Sequence, residues 1–178
     1  MPQRGNQPTQ NLAERGSSMA QIFHIAFAVP RLEETMKELS DAMGVQWRNI
    51  YGFAGKMRDE HGVVHEVDTR LTFSTPGPTV IELFEENPGT PLAATPGNPF
   101  HHVGVWAEDF WSEEARLDTL GWPCCGVSPD RSKPTRAGFF RGPSNITFEL
   151  CTLNTDRPLL RDLYPPDSPF FGVPEDRH

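Results

Sequence analysis

Only three cysteines occur in 178 residues, and two of them, Cys124 and Cys125, are neighbours. That is too few for a disulfide framework and lacks the Cys-x-x-Cys spacing of a thiolate metal site. Positive charge is scarce as well: 16 Lys and Arg face 24 Asp and Glu, a net charge of −8. Nucleic acid and anionic membrane surfaces are therefore excluded as expected partners. No apolar run approaches the ~18 residues that a spanning helix needs. The amino-terminal stretch is polar and holds no apolar segment before a cleavage site, so a secretory signal is not expected. A cytoplasmic protein is the expectation, built as one domain or as two small modules sharing a core.

The two ends differ from the middle. Residues 1–19, MPQRGNQPTQNLAERGSSM, are polar and aperiodic. They read as a disordered extension, with Met19 as a candidate first residue of the folded chain. Residues 154–178 are proline-rich yet carry Leu159, Leu160, Leu163, Tyr164, Phe170 and Phe171. A solvated tail has no use for these, so part of it is expected to pack on the domain or on a partner subunit.

The middle repeats itself. FHIAFAVPRLEE (23–34) matches HHVGVWAEDFWSEE (101–114), with His24 aligned to His102 at an offset of 102 − 24 = 78. A helical pattern follows each strand: Leu32, Met36, Leu39 and Met43, then Phe110, Leu117 and Leu120. Gly44 ends the first and Gly121 the second, as expected just beyond a helix. The His-to-Gly interval is 44 − 24 = 20 in one copy and 121 − 102 = 19 in the other. VQWRNIYGF and VHEVDTRLTFST, then WPCCGV and AGFFRG, read as two further strands per copy. Each copy closes with a strand that contains a carboxylate: TVIELFE with Glu82, and NITFELCT with Glu149. The expected fold is α+β: two β-α-β-β-β modules, about 20–88 and 99–153. The stretch from Gly55 to Val64 reads as an insertion in the first.

Strand parity selects the candidate site residues, because side chains two apart share a face. Ile25, Phe27 and Val29 suit a helix-covered face, as do Val103 and Val105, Ile81 and Leu83, and Phe148 and Leu150. The opposite faces carry His24, His102, Glu82 and Glu149. Ala26 and Gly104 leave room beside two of them. His101 falls on the helix face and reads as structural. A single strand histidine or glutamate is usually an ordinary edge or surface residue. Two of each, converging by repeat symmetry, suit one divalent ion: Zn, Ni, Co, Mn or Fe(II). Phe84, Trp106 and Cys151 share the ligand face and are expected to line a substrate pocket. Arg70, in TRLTFS, is expected either to point into the cleft or to lie on the surface.

Paired modules with His, Glu, His and Glu at these strand positions resemble the vicinal oxygen chelate superfamily. That superfamily includes glyoxalases, methylmalonyl-CoA epimerases, extradiol dioxygenases and bleomycin- or fosfomycin-resistance proteins. The resemblance covers about Gln21 to Leu153. It implies a pseudo-twofold, partly open β-barrel cleft with helices outside, and a homodimer. The superfamily's ligands fall on His24, Glu82, His102 and Glu149. Glutamate at 82 is similar to glyoxalase I, whereas the epimerases carry glutamine there.

Four protein ligands on a six-coordinate ion leave two adjacent positions for two substrate oxygens. The implied chemistry is an isomerase, epimerase or lyase reaction of a carbonyl compound or acyl thioester through an enolate. Glu149 is the expected base and Glu82 the second candidate. The alternatives are a non-catalytic, resistance-type binder of a small molecule and an Fe(II) dioxygenase. The dioxygenase wants two histidines and one carboxylate, and the fourth ligand argues against it.

Overall fold

The computed structural model describes residues 21–131 and 137–172. The expected disordered extension lies outside the described residues. The first module runs β1 (Ile22–Val29), α1 (Leu32–Met43), β2 (Gln46–Trp47), β3 (Tyr51–Arg58), β4 (Val64–Thr75) and β5 (Val80–Glu85). The second runs β6 (Phe100–Ala107), α2 (Phe110–Thr119), β7 (Cys124–Val127), β8 (Ala137–Arg141) and β9 (Thr147–Thr152). The repeat is thus realised, with two departures. VQWRNIYGF is two strands rather than one. Gly55 to Arg58, read as inserted, instead extend β3, so that β3 and β4 pair over eight residues from Tyr51↔Leu71 to Arg58↔Val64.

The strands form one sheet ordered β2-β4-β3-β7-β8-β9-β6-β1-β5, and β4 also pairs with β5. That last pairing closes eight strands into a ring, with β2 attached outside it. Within each module the first strand lies parallel to the last: β1 with β5 and β6 with β9. The modules meet twice. β1 and β6 pair along their length, antiparallel, whereas β3 and β7 share the single pair Arg58↔Val127.

The helices cover the outside, as the apolar spacing requires. Leu32, Met36 and Leu39 of α1 pack on Phe27, Val29, Ile81 and Leu83. Gly44 takes the left-handed conformation (φ 72°) and its N–H reaches the Ser40 carbonyl at 2.9 Å, the expected helix end. Phe110 and Leu117 of α2 pack on Phe140 and Leu150. Asp109 caps α2 by accepting from the Ser112 N–H at 2.6 Å.

The carboxy-terminal segment folds back onto the domain. Its 3-10 turn, Pro158–Leu160, sets Leu160, Leu163 and Tyr164 against Phe23, Phe73, Val80, Trp106 and Cys151. Arg48 fastens it, donating to the Leu159 carbonyl at 2.7 Å and to both Asp162 oxygens at 2.7 and 2.9 Å.

Candidate metal centre

His24 on β1, Glu82 on β5, His102 on β6 and Glu149 on β9 meet inside the ring. The mid-sheet pairing explains why. Ala26 stands opposite both His102 and Glu82, and Gly104 stands opposite both His24 and Glu149. Each histidine therefore projects beside a small residue on the neighbouring strand. At Gly104 the requirement is absolute: a Cβ there would lie 2.0 Å from His24 Cε1 and 2.3 Å from its Nδ1.

The four ligand atoms are closely spaced. His24 Nε2 lies 2.9 Å from His102 Nε2, 3.2 Å from Glu82 Oε2 and 3.4 Å from Glu149 Oε2. His102 Nε2 lies 3.3 Å from Glu82 Oε2 and 3.7 Å from Glu149 Oε2. Donors bound about 2.1 Å from one ion stand about 3.0 Å apart at right angles and about 3.4 Å apart at the tetrahedral angle. Four of the five spacings fall within 0.1 Å of that range, and His102–Glu149, at 3.7 Å, is wider. Glu82 Oε2 is buried without a hydrogen bond although two ring nitrogens face it. An acceptor so placed is costly to bury unless a cation sits before it, the His102 imidazolium in the metal-free cluster or a metal ion in its place. The residues therefore fit a single divalent ion.

Burial and charge set the protonation of the metal-free cluster. Burial pushes His24 down to about 4, the Glu82 charge opposing. Burial also works against a charged His102, but the Glu149 and Glu82 carboxylates outweigh it and hold its pKa up to about 9. Burial would raise the Glu149 carboxyl, yet His102, His24 and Arg157 together hold it well below the usual carboxylate range.

His101 is not on the helix face. The pairing steps from Ala26↔His102 to Phe27↔Phe100, so one residue of β1 opposes two of β6 and His101 is the extra one. Such a bulge breaks strand alternation, and it turns His101 toward the same side as His102. A second bulge at Phe23 does the same in the other module, between Ile22↔Val105 and His24↔Gly104. Phe23 and His101 are thus equivalent by the repeat, and each flanks a ligand histidine (ring centroids 4.4 and 5.1 Å). Their chemistry differs. His101 Nε2 lies 2.9 Å from the Pro91 carbonyl and His101 Nδ1 lies 2.8 Å from His102 Nδ1. A carbonyl only accepts, so His101 Nε2 carries the proton and its Nδ1 accepts from His102 Nδ1–H. His102 Nε2 is then the nitrogen left to face a metal. His24 has no such support: its Nδ1 is buried and unpartnered.

The expected pocket residues divide. Phe84 lies beside His102, with ring centroids 6.3 Å apart. Trp106 and Cys151 lie in a packed core, covered by the carboxy-terminal segment. The Trp106 ring stacks between Phe23 (4.0 Å) and Tyr164 (4.5 Å), and its Nε1–H donates to the Leu163 carbonyl at 3.2 Å. Arg70 does not point into the cleft. Leu71 and Phe73 take the inner face of β4, which places Arg70 outside, paired with Glu33 of α1 and Glu85 of β5. Cavities of about 190 and 340 Å³ lie beyond His101, along the 89–98 segment and Arg141, and none of the four ligands lines them.

Arg157, which sequence patterning did not single out, comes from the carboxy-terminal segment to the edge of the cluster. Its Nη1 donates to Cys151 Sγ at 3.0 Å, and Cys151 Sγ–H donates to Glu149 Oε2 at 3.0 Å. Side-chain exposure in the cluster rises from 1% and 2% at the histidines to 10% at Glu82 and 13% at Glu149, so the two carboxylates form its outer edge.

Comparison with known proteins agrees with this architecture. Among solved structures, the Streptomyces coelicolor methylmalonyl-CoA epimerase in complex with 2-nitronate-propionyl-CoA is 19% identical, with a TM-score of 0.54 over 76% of this chain and 98% of that one. A methylmalonyl-CoA epimerase in complex with methylmalonyl-CoA and NH4+ is also 19% identical, with a TM-score of 0.52 over 76% and 95%. The methylmalonyl-CoA epimerase from Mycobacterium tuberculosis is 14% identical, with a TM-score of 0.52 over 76% and 90%. At these identities the likeness is one of fold. No curated protein matches. Residues 23–139 match the glyoxalase/bleomycin resistance protein/dioxygenase superfamily, and with well over half of its length inside that match, the chain belongs to that superfamily.

Proposed function

We propose that this chain is a divalent-metal-dependent enzyme of the isomerase, epimerase or lyase type. Its substrate is a carbonyl compound or acyl thioester that presents two neighbouring oxygens. The convergence of four ligand atoms from four strands carries this reading. His24, Glu82, His102 and Glu149 would hold the ion. When bound, it supplies Lewis acidity for negative charge developing on a carbonyl oxygen.

The protein's own part is to place the ligands, exclude water and move a proton. Glu149 is the proposed base. Its neighbours on the same face are Thr147 and Cys151, and its side chain is the more exposed of the two carboxylates. Glu82 sits between Val80 and Phe84, buried to 2% and 3% exposure, which hold it in place. A base within hydrogen-bond reach of the proton α to the carbonyl can remove it and return it to either face. Phe73, Phe84 and Phe139, each at most 5% exposed, pack against the ligand histidines and would keep bulk water from the reacting carbon.

A homodimer belongs to the same proposal. Ile22 and Ile25 of β1, 46% and 37% exposed, offer apolar surface outside the ring. Light scattering that returns a monodisperse monomer at micromolar concentration removes this part. The activity is tested by hydrogen–deuterium exchange in D2O across a panel of 2-oxo acids, acyl thioesters and hemithioacetals. Metal-dependent exchange at the α-carbon is expected with at least one class. Retention of every α-proton by the metal-loaded protein argues for the binder instead.

A further inference from the structure

We propose that Arg157 is a substrate-recognition residue and that the chelated carbonyl compound carries a carboxylate. The inference rests on the metal-site reading above and deepens it.

Charge is the first argument. Glu82 and Glu149 contribute two negative charges to the cluster, and a divalent ion cancels them. The Arg157 guanidinium then remains, joined to Glu149 through two 3.0 Å hydrogen bonds by way of Cys151. One positive charge in a largely buried site is unfavourable unless an anion answers it. The nearby carboxylates of the carboxy-terminal segment are otherwise engaged: Asp156 pairs with Arg161 at 2.6 Å and Asp162 with Arg48 at 2.7 Å. The missing negative charge is therefore assigned to the substrate.

Donor count is the second argument. A guanidinium has five N–H donors in a planar fork suited to a carboxylate. Among the described residues, that of Arg157 donates to one acceptor, the Cys151 sulfur, a weak one. A carboxylate is the group that fills the rest of such a fork best.

Position is the third. Arg157 lies on the Glu149 side, at the carboxylate edge of the cluster. It is held there by the Arg48 clasp and by Leu160, Leu163 and Tyr164. With two short contacts separating Nη1 from the ligand oxygen of Glu149, the carboxylate must be close to the chelated carbonyl, as in 2-oxo and 3-oxo acids. Negative charge that develops on proton removal would meet the same guanidinium, so Arg157 also favours the transition state.

The test uses zinc-loaded full-length protein and two probes of equal size, pyruvate and its neutral amide, pyruvamide, measured by calorimetry. Pyruvate is expected to bind more tightly than pyruvamide. Arg157→Met should weaken pyruvate by about tenfold to a hundredfold, the usual value of charge-assisted hydrogen bonds, and leave pyruvamide within a few fold. Arg157→Lys keeps the charge without the fork and should recover part of the loss, which also guards against a folding defect in Arg157→Met. Zinc uptake should be equal in all three proteins. If the protein takes up zinc but Arg157→Met weakens both probes alike, or neither, the assignment of Arg157 is overturned and the metal site stands. Absence of pyruvate binding to the zinc-loaded wild type overturns it too. Failure of the wild type to take up zinc removes the leftover charge and overturns both readings.

Discussion

Gly104→Ala tests the packing on which the metal site depends. The added methyl would sit 2.0 Å from His24 Cε1, 2.3 Å from Nδ1 and 2.4 Å from Nε2. His24 is 1% exposed and flanked by Phe23 and Phe73, so its ring cannot retreat without moving them. Overpacking of this kind costs about 1–3 kcal/mol, which is a fall of several degrees in Tm for a chain of about this size. The larger consequence is local: a displaced ring carries Nε2 away from its 2.9 Å approach to His102 Nε2. Metal affinity should therefore fall about as far in Gly104→Ala as in His24→Ala. The two changes should also be strongly non-additive, because a methyl at 104 has nothing to strike once the ring is gone. Denaturant unfolding and metal titration of the two single variants and the double variant measure both effects. Native stability and native metal affinity in Gly104→Ala would show that His24 is not held against Gly104, and the reasoning from strand register would fail.

Three further outcomes follow from the same geometry. His101→Phe, which makes the second module like the first, removes the acceptor for His102 Nδ1–H and should weaken metal binding by about tenfold to a hundredfold; His101→Gln, which can still accept from His102 and donate to Pro91, should recover part of it, and equal affinities in all three would reduce His101 to packing. Glu149→Gln should bind metal but lose about two to four orders of magnitude in α-proton exchange, whereas loss in Glu82→Gln alone would exchange the two roles. The metal-free protein should be most stable near pH 6.5: His102, held up to about 9, stabilises fully below 6.5 and ceases to as pH rises through 9, while His24 and His101, pushed down to about 4 and about 3, cost stability as pH falls below 6.5. Denaturant midpoints across pH 4–10 check this, and a monotonic profile contradicts it.

How much of this was legible in the sequence depends on which rule each residue obeys. Glu82 and Glu149 follow strict alternation along β5 and β9, so parity with Ile81, Leu83, Phe148 and Leu150 sets them on the face where the structure gathers them with the two histidines. His24 and His102 also follow the repeat, and Gly104 reads as room beside a ring. His101 and Phe23 break parity because both sit at bulges, and a bulge is a property of the pairing between two strands that neither strand displays alone. Arg70 was ambiguous for another reason: parity groups it with Glu66, Asp68, Thr72 and Ser74, opposite Val67, Leu71 and Phe73, and only closure of the ring shows the apolar face to be the inner one. Arg157 lies in a proline-rich stretch without periodicity. The one available signal was the Leu160, Leu163 and Tyr164 content of the segment that carries it, which foretold packing but not where.

Metal content tests the central claim most directly. Protein purified without chelators, or reconstituted and desalted, should hold about one divalent ion per chain by elemental analysis, because four convergent ligands form one site. His24→Ala combined with His102→Ala should hold none. Full occupancy in that double variant would place the ion elsewhere and contradict the account.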